Sequence, residues 1–73
     1  MEIKAKTKKK KLTEKEKILI KYIASGWTDP EISEKLKVSL VYVRQIVSKI
    51  LSKSDTYNRP QLVYWAVKNG ILD

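Results

Sequence analysis

The sequence predicts an all-α domain of four short helices. Three observations carry this. Four residues of cap-forming type, Thr13, Thr28, Ser39 and Asn58, each precede a run whose apolar residues recur at helical spacing. After three of them a Glu or Gln follows three places on (Glu16, Glu31 and Gln61), which is the reciprocal pattern of a capping box. The chain has two glycines, Gly26 and Gly70, and each falls where a helix would close on a left-handed residue.

The first helix is predicted over about 14–24. Thr13 and Glu16 cap it, Leu12 staples back onto it, and the apolar stripe is Ile18, Leu19, Tyr22 and Ile23. Lys15, Lys17 and Lys21 are read as solvated. The second helix covers about 29–36. Thr28 and Glu31 form its capping box, and Pro30 sits in the first turn, where a missing N–H costs nothing. Ile32 and Leu36 face the core. Lys37 and Val38 then make a tight link to the Ser39 cap of the third helix, about 40–53. Two helices on so short a link match a helix-turn-helix, in which the second helix projects.

That third helix has two unlike faces. Val43, Val47 and Ile50 stack at i, i+4 and i+7. Leu40, Ile46 and Leu51 widen the apolar arc to roughly 140°, as for a core-facing helix. The opposite arc holds Val41, Arg44, Gln45, Ser48, Lys49 and Ser52, so it carries two cations, an amide and two hydroxyls but no acid. Such a face is either solvated surface or a groove-reading surface, and the rest of the chain decides between them.

Asn58-Arg59-Pro60-Gln61 opens the fourth helix, about 59–68, with Gly70 as its terminating residue. Six apolar residues follow one another, Leu62 to Val67, and spread nearly all round the helix. Leu62 and Ala66 share the core-facing side. Val63, Tyr64 and Val67 are left over, and Trp65 lies at the flank. A terminal helix on so small a domain is not covered on every side by its own chain, so the surplus points to a partner, most simply a second copy.

Composition narrows the function. Seventy-three residues make one domain of marginal stability, because a domain near this size buries only about 60% of its unfolded surface. With no cysteine and no histidine, neither a disulfide nor the commonest metal ligands and general base are available. An enzyme, a metal site and a cofactor are not expected. The formal charge of +8 and pI near 9.8 call for a polyanionic partner, nucleic acid or an anionic membrane. Six of the first eleven residues are lysine, and residues 1–11 are expected to be a disordered basic tail that either solubilises the chain or adds phosphate contacts. Residues 12–73 carry ten Lys/Arg against seven Asp/Glu, only +3, so their layout matters more than their charge. No apolar run approaches the ~18 residues of a membrane span, and no signal-peptide core is present, so a cytoplasmic location is expected.

These residues resemble the LuxR/GerE/FixJ-type helix-turn-helix family. The likeness runs through L-T-E-x-E at 12–16, Gly26, E-I-S at 31–33, S-x-x-x-V-R at 39–44, I-L-S-K at 50–53 and N-R-x-x-L at 58–62. It covers residues 12–72, and the basic tail with a single domain resembles a stand-alone GerE-type regulator. The resemblance implies four helices, DNA recognition by the third and dimerisation through the fourth. It places Tyr42 near a phosphate, Arg44, Gln45 and Ser48 toward the groove, and Lys49 beside them. With Thr28, Ser39, Val41 and Lys53 these make the expected double-stranded-DNA-binding set. Val63, Tyr64 and Val67 make the expected homodimer set. Ile46 departs from the family, which commonly has a polar residue there. Ser54-Asp55-Thr56 replaces the usual Leu-Gly-Val, so the third helix is expected to end early and Tyr57 to supply the missing apolar anchor. The alternative is a module like region 4 of a sigma factor, monomeric and held on RNA polymerase by its fourth helix. A third reading is a basic protein of RNA or membrane surfaces.

Overall fold

The computed structural model describes residues 11–72. The lysine-rich segment at positions 1–10 lies outside them, and with it the expectation of a disordered tail. Four helices follow in order: α1 Glu14–Ala24, α2 Asp29–Leu36, α3 Leu40–Ser54 and α4 Arg59–Lys68. There is no strand among the described residues.

Each helix starts on the predicted cap. The Thr13 hydroxyl accepts the Glu16 N–H at 3.2 Å while Glu16 Oε1 accepts the Thr13 N–H at 2.9 Å. Thr28 and Glu31 repeat that exchange on α2, at 3.3 and 2.8 Å. Ser39 Oγ accepts from Tyr42 N–H, and Asn58 Oδ1 from Gln61 N–H. Each cap thereby satisfies a donor that the first turn would otherwise leave free.

The four helices also end alike. In each, an N–H just past the helix donates to the carbonyl five residues earlier: Trp27 to Tyr22, Val38 to Ser33, Thr56 to Leu51, Ile71 to Ala66. This closure needs a left-handed residue. Gly26 and Gly70 supply it at φ 88° and 74°, and Lys37 and Asp55 supply it at φ 58° and 59°. Asp55 is of a type that tolerates the left-handed region better than most. On α1 the closure brings Tyr22 and Trp27 together, with ring centroids 4.5 Å apart.

The core holds Leu12, Leu19, Ile20 and Ile23 from the α1 side, and Ile32 from α2. Val43, Val47 and Ile50 come from α3, Leu62 and Ala66 from α4. α2 packs on α3, α4 on α1, and α3 also meets α1 and α4.

Three expectations are corrected. The α1 stripe is Glu16, Leu19, Ile20 and Ile23, whereas Ile18 is 42% exposed. An apolar count passes over Glu16, and without it the inferred face rotates away from Ile20. α3 does not end early: it runs through Ser54, which is buried. Its hydroxyl donates to the carbonyl of Ile50 at 2.9 Å and meets Thr56 Oγ1 at 2.7 Å, so the polar group has local partners. With the Ser54 position closed by that network, Tyr57 is no anchor, and it stands 83% exposed.

Candidate nucleic-acid interface

The rotation of α3 about its axis is set by its buried side. Val43, Val47 and Ile50 are sunk in the core, which turns Arg44, Gln45, Ser48, Lys49 and Ser52 to the outside, with Val41 62% exposed among them. No acid lies on this face. Among the described residues, the side chains of Gln45, Ser48 and Lys49 have no hydrogen-bond or ion-pair partner in the protein. The face therefore offers a guanidinium, an amide, a hydroxyl and an ammonium. An α-helix is the element that the major groove of DNA admits, and those groups pair with base edges and phosphates.

Two of the predicted residues have partners from other helices. Arg44 Nε lies 3.8 Å from Asp29 Oδ2, at the start of α2. The same carboxylate accepts a 2.6 Å hydrogen bond from Arg59 Nη2, at the start of α4. The Tyr42 hydroxyl accepts from Lys15 Nζ at 3.3 Å, and that ammonium stands 5.4 Å from the ring centre. Lys15, read as solvated on α1, thus adds a cation beside the start of α3. Thr28 and Ser39 are both exposed, each with its oxygen accepting its own helix's cap bond.

Lys53 is elsewhere. Its ammonium donates to both oxygens of Glu16, at 2.7 and 2.9 Å, and to the Lys11 carbonyl at 3.3 Å. It joins α3 to α1 and is not part of the open face, a correction to its place in the expected set. Burial pushes the Glu16 carboxyl up. The Lys53 hydrogen bond, the Thr13 N–H and the Lys53 charge together outweigh that and hold it below the usual carboxylate range. The available signal was an acid in register with Leu19, Ile20 and Ile23. Asp29 and Arg59 carried no such signal, since first-turn residues of two different helices meet only in the folded chain.

The expected dimer residues border two adjacent grooves along α4. Val63, which is half-buried, and Val67, 50% exposed, line a shallow groove beside the end of α1 with Ile71 and Leu72. Tyr64, 65% exposed, lines another with Tyr57, Pro60 and the half-buried Trp65. Among the described residues no helix is long and apolar enough to cross a membrane, and no cluster of three metal-ligating side chains occurs.

The family model for bacterial regulatory proteins of the luxR family matches residues 10–66. The chain is 37% identical over 62 residues to a probable transcriptional regulator, ycf29, of Porphyra purpurea, covering 85% of this chain and 30% of that protein. It is 36% identical over 62 residues to the oxygen regulatory protein NreC of Staphylococcus haemolyticus, covering 85% and 29%. It is 33% identical over 61 residues to the response regulator protein VraR of Staphylococcus aureus, covering 84% and 29%. The chain thus spans under a third of the length of these relatives. No solved structure matches it. With four capped helices, the outward face of α3 and a family match over most of its length, the chain belongs to the luxR family of bacterial regulatory proteins.

Proposed function

We propose that this chain is a sequence-specific, double-stranded-DNA-binding transcriptional regulator that binds as a homodimer, with α3 in the major groove. The observation that carries the reading is the outward face of α3, where Arg44, Gln45, Ser48 and Lys49 stand exposed without an acid among them. The printed names of the relatives, transcriptional and response regulators, support the regulatory role. In this reading Arg44 and Gln45 contact bases, and Tyr42, Ser48 and Lys49 contact phosphates or bases beside them. The cap residues Thr28 and Ser39 approach the backbone, and Val41 offers an apolar contact to a thymine methyl. The lysines of residues 1–11 add phosphate contacts that carry no sequence information. The protein works in the cytoplasm and carries out no catalysis.

Pairing through α4 gives a two-fold dimer with the same patch on each subunit. Two copies of α3 then reach successive major grooves about 34 Å apart, on an inverted repeat. Exposed Tyr64 and Val67 support this pairing. Tyr64 and Val67 are neighbours at i and i+3 on α4, so Tyr64→Glu and Val67→Glu both probe this pairing. The test is selection from a random duplex pool, followed by sizing and light scattering of free and bound protein. The expected result is an enriched inverted repeat and a dimer on DNA. Either glutamate variant is then folded and monomeric, retaining weak half-site binding. A selection without any enriched sequence overturns base reading. A protein that stays monomeric at high micromolar concentration, free and on DNA, overturns the dimer and favours the polymerase-bound alternative.

A further inference from the structure

We infer that Asp29 is a positioning residue for base recognition: its carboxylate, anchored by Arg59, holds the Arg44 side chain in the orientation that reads the groove. The inference rests on the proposed groove-reading role of α3.

Asp29 is an acid near a face otherwise free of acids. Beside a polyanion a carboxylate repels, so its position there needs a reason. The start of α2 supplies part of one, because an acid in a first turn complements the helix dipole. Arg59 supplies another, since its 2.6 Å bond ties α4 to α2. Neither accounts for Arg44, whose Nε lies 3.8 Å from the other oxygen of the same carboxylate. The side chains differ in burial in the order that positioning requires. Asp29 is 14% exposed, Arg59 37% and Arg44 64%, so the anchor is inside and the reader is outside. Together they line a cleft with Ser48 and Asn58.

The atoms involved are informative. Arginine commonly reads guanine through two parallel bonds to O6 and N7. The contact with Asp29 is made by Nε, and among the described residues neither terminal nitrogen of Arg44 has a hydrogen-bond partner. The carboxylate can restrain the side chain while leaving the terminal fork available. A free arginine carries several rotatable bonds, and ordering it on DNA costs rotamer entropy that a restrained one has in part already lost. The 3.8 Å separation is an ion pair of the exposed kind, so the effect is modest.

The experiment is Asp29→Asn, measured alone and with Arg44→Ala, on the selected duplex and on the same duplex with the Arg44-contacted base pair changed. Two readouts are taken with thermal melting alongside. Asp29→Asn should reduce the preference for the correct base pair by roughly two- to fivefold, the scale of an exposed ion pair. It should leave affinity for unrelated duplexes unchanged or raised, because a negative charge has gone. In the Arg44→Ala background it should have no effect on base preference. A structural role alone lowers affinity for all duplexes together and does so whether or not Arg44 is present. That outcome, or an unchanged base preference in the single variant, overturns the inference. If Arg44→Ala itself leaves every base preference intact, the groove-reading assignment of Arg44 fails first, and the positioning role falls with it.

Discussion

Lys49 and Lys53 lie one turn apart on α3 and differ in nearly everything except side-chain type. Lys53 holds a carboxylate at 2.7 Å with only 21% of its side chain exposed. Lys49 is exposed and, among the described residues, has no partner. The first tethers α3 to α1, and the second is free to meet an anion. A polar group with its partners in place belongs to the fold, where removing one partner leaves the other unsatisfied. A polar group without partners, held outward by a rigid core, is available to a ligand. The same contrast separates Ser54, which is buried and fully bonded, from Ser48, which is exposed and unbonded.

The largest expected effect falls on the tether. Lys53→Ala leaves the buried Glu16 carboxylate with only its Thr13 contacts. It should cost on the order of 2–3 kcal/mol, below the figure for a wholly enclosed pair because Lys53 keeps some exposure. In a domain of this size that corresponds to a fall in Tm of roughly 10–20 °C. Glu16→Gln combined with Lys53→Met should recover much of it, since no charge is then left buried. The pair also gives stability a sign with pH. The folded-state pKa of Glu16 is depressed, so its contribution is complete above the unfolded glutamate value of about 4.3 and is lost as pH falls through the folded value. In Lys53→Ala the Lys53 hydrogen bond and charge no longer oppose burial, so the depression shrinks and less stability is lost across the acid range than in wild type. Melting curves of both proteins from neutral to acid pH check this. A variant as stable as wild type, but weaker on DNA, would return Lys53 to the groove-facing set.

The second effect is on the open face and should leave the fold alone. Arg44→Ala and Gln45→Ala are each expected to cost about 1–3 kcal/mol on the selected site and to relax preference at one base pair. Their melting temperatures should stay close to wild type, because both positions are exposed. Unfolding by either substitution, or unaltered affinity for the selected site, would show that this side of α3 has been misassigned.

The two lysines also show how far the sequence could be read. All four helices and their starts were legible, because capping uses residues within three positions of each other: Thr13 with Glu16, Thr28 with Glu31, Asn58 with Gln61. The buried side of α3 was legible from spacing alone. What was not legible depends on distant partners. Lys53 meets Glu16 across 37 positions and Arg59 meets Asp29 across 30. From the sequence, a charge that will be neutralised looks the same as one that will not. The α1 stripe went wrong for that reason, since Glu16 occupies a core-facing position by virtue of Lys53. Ser54 illustrates a different limit. A polar residue in an apolar register suggests a break, yet here the hydroxyl bonds to its own helix and to Thr56, and α3 continues through it.

The smallest effect sharpens the comparison most directly. Lys49→Ala removes an ammonium that contributes nothing to packing, so stability should change by no more than about 0.5 kcal/mol, the usual range for a surface site. If that ammonium meets a phosphate, affinity should fall by a similar amount on selected and unrelated duplexes alike. The slope of log K against log salt should then flatten by roughly 0.9, the value for one phosphate contact. Base preference should survive, because a phosphate contact carries no sequence information. Titrations at several salt concentrations, on one good and one scrambled duplex, give all three quantities. A changed base preference with an unchanged salt slope would instead place Lys49 against a base edge, and the reading surface would extend one turn further along α3. An effect on stability comparable to that of Lys53→Ala would break the contrast between the two lysines.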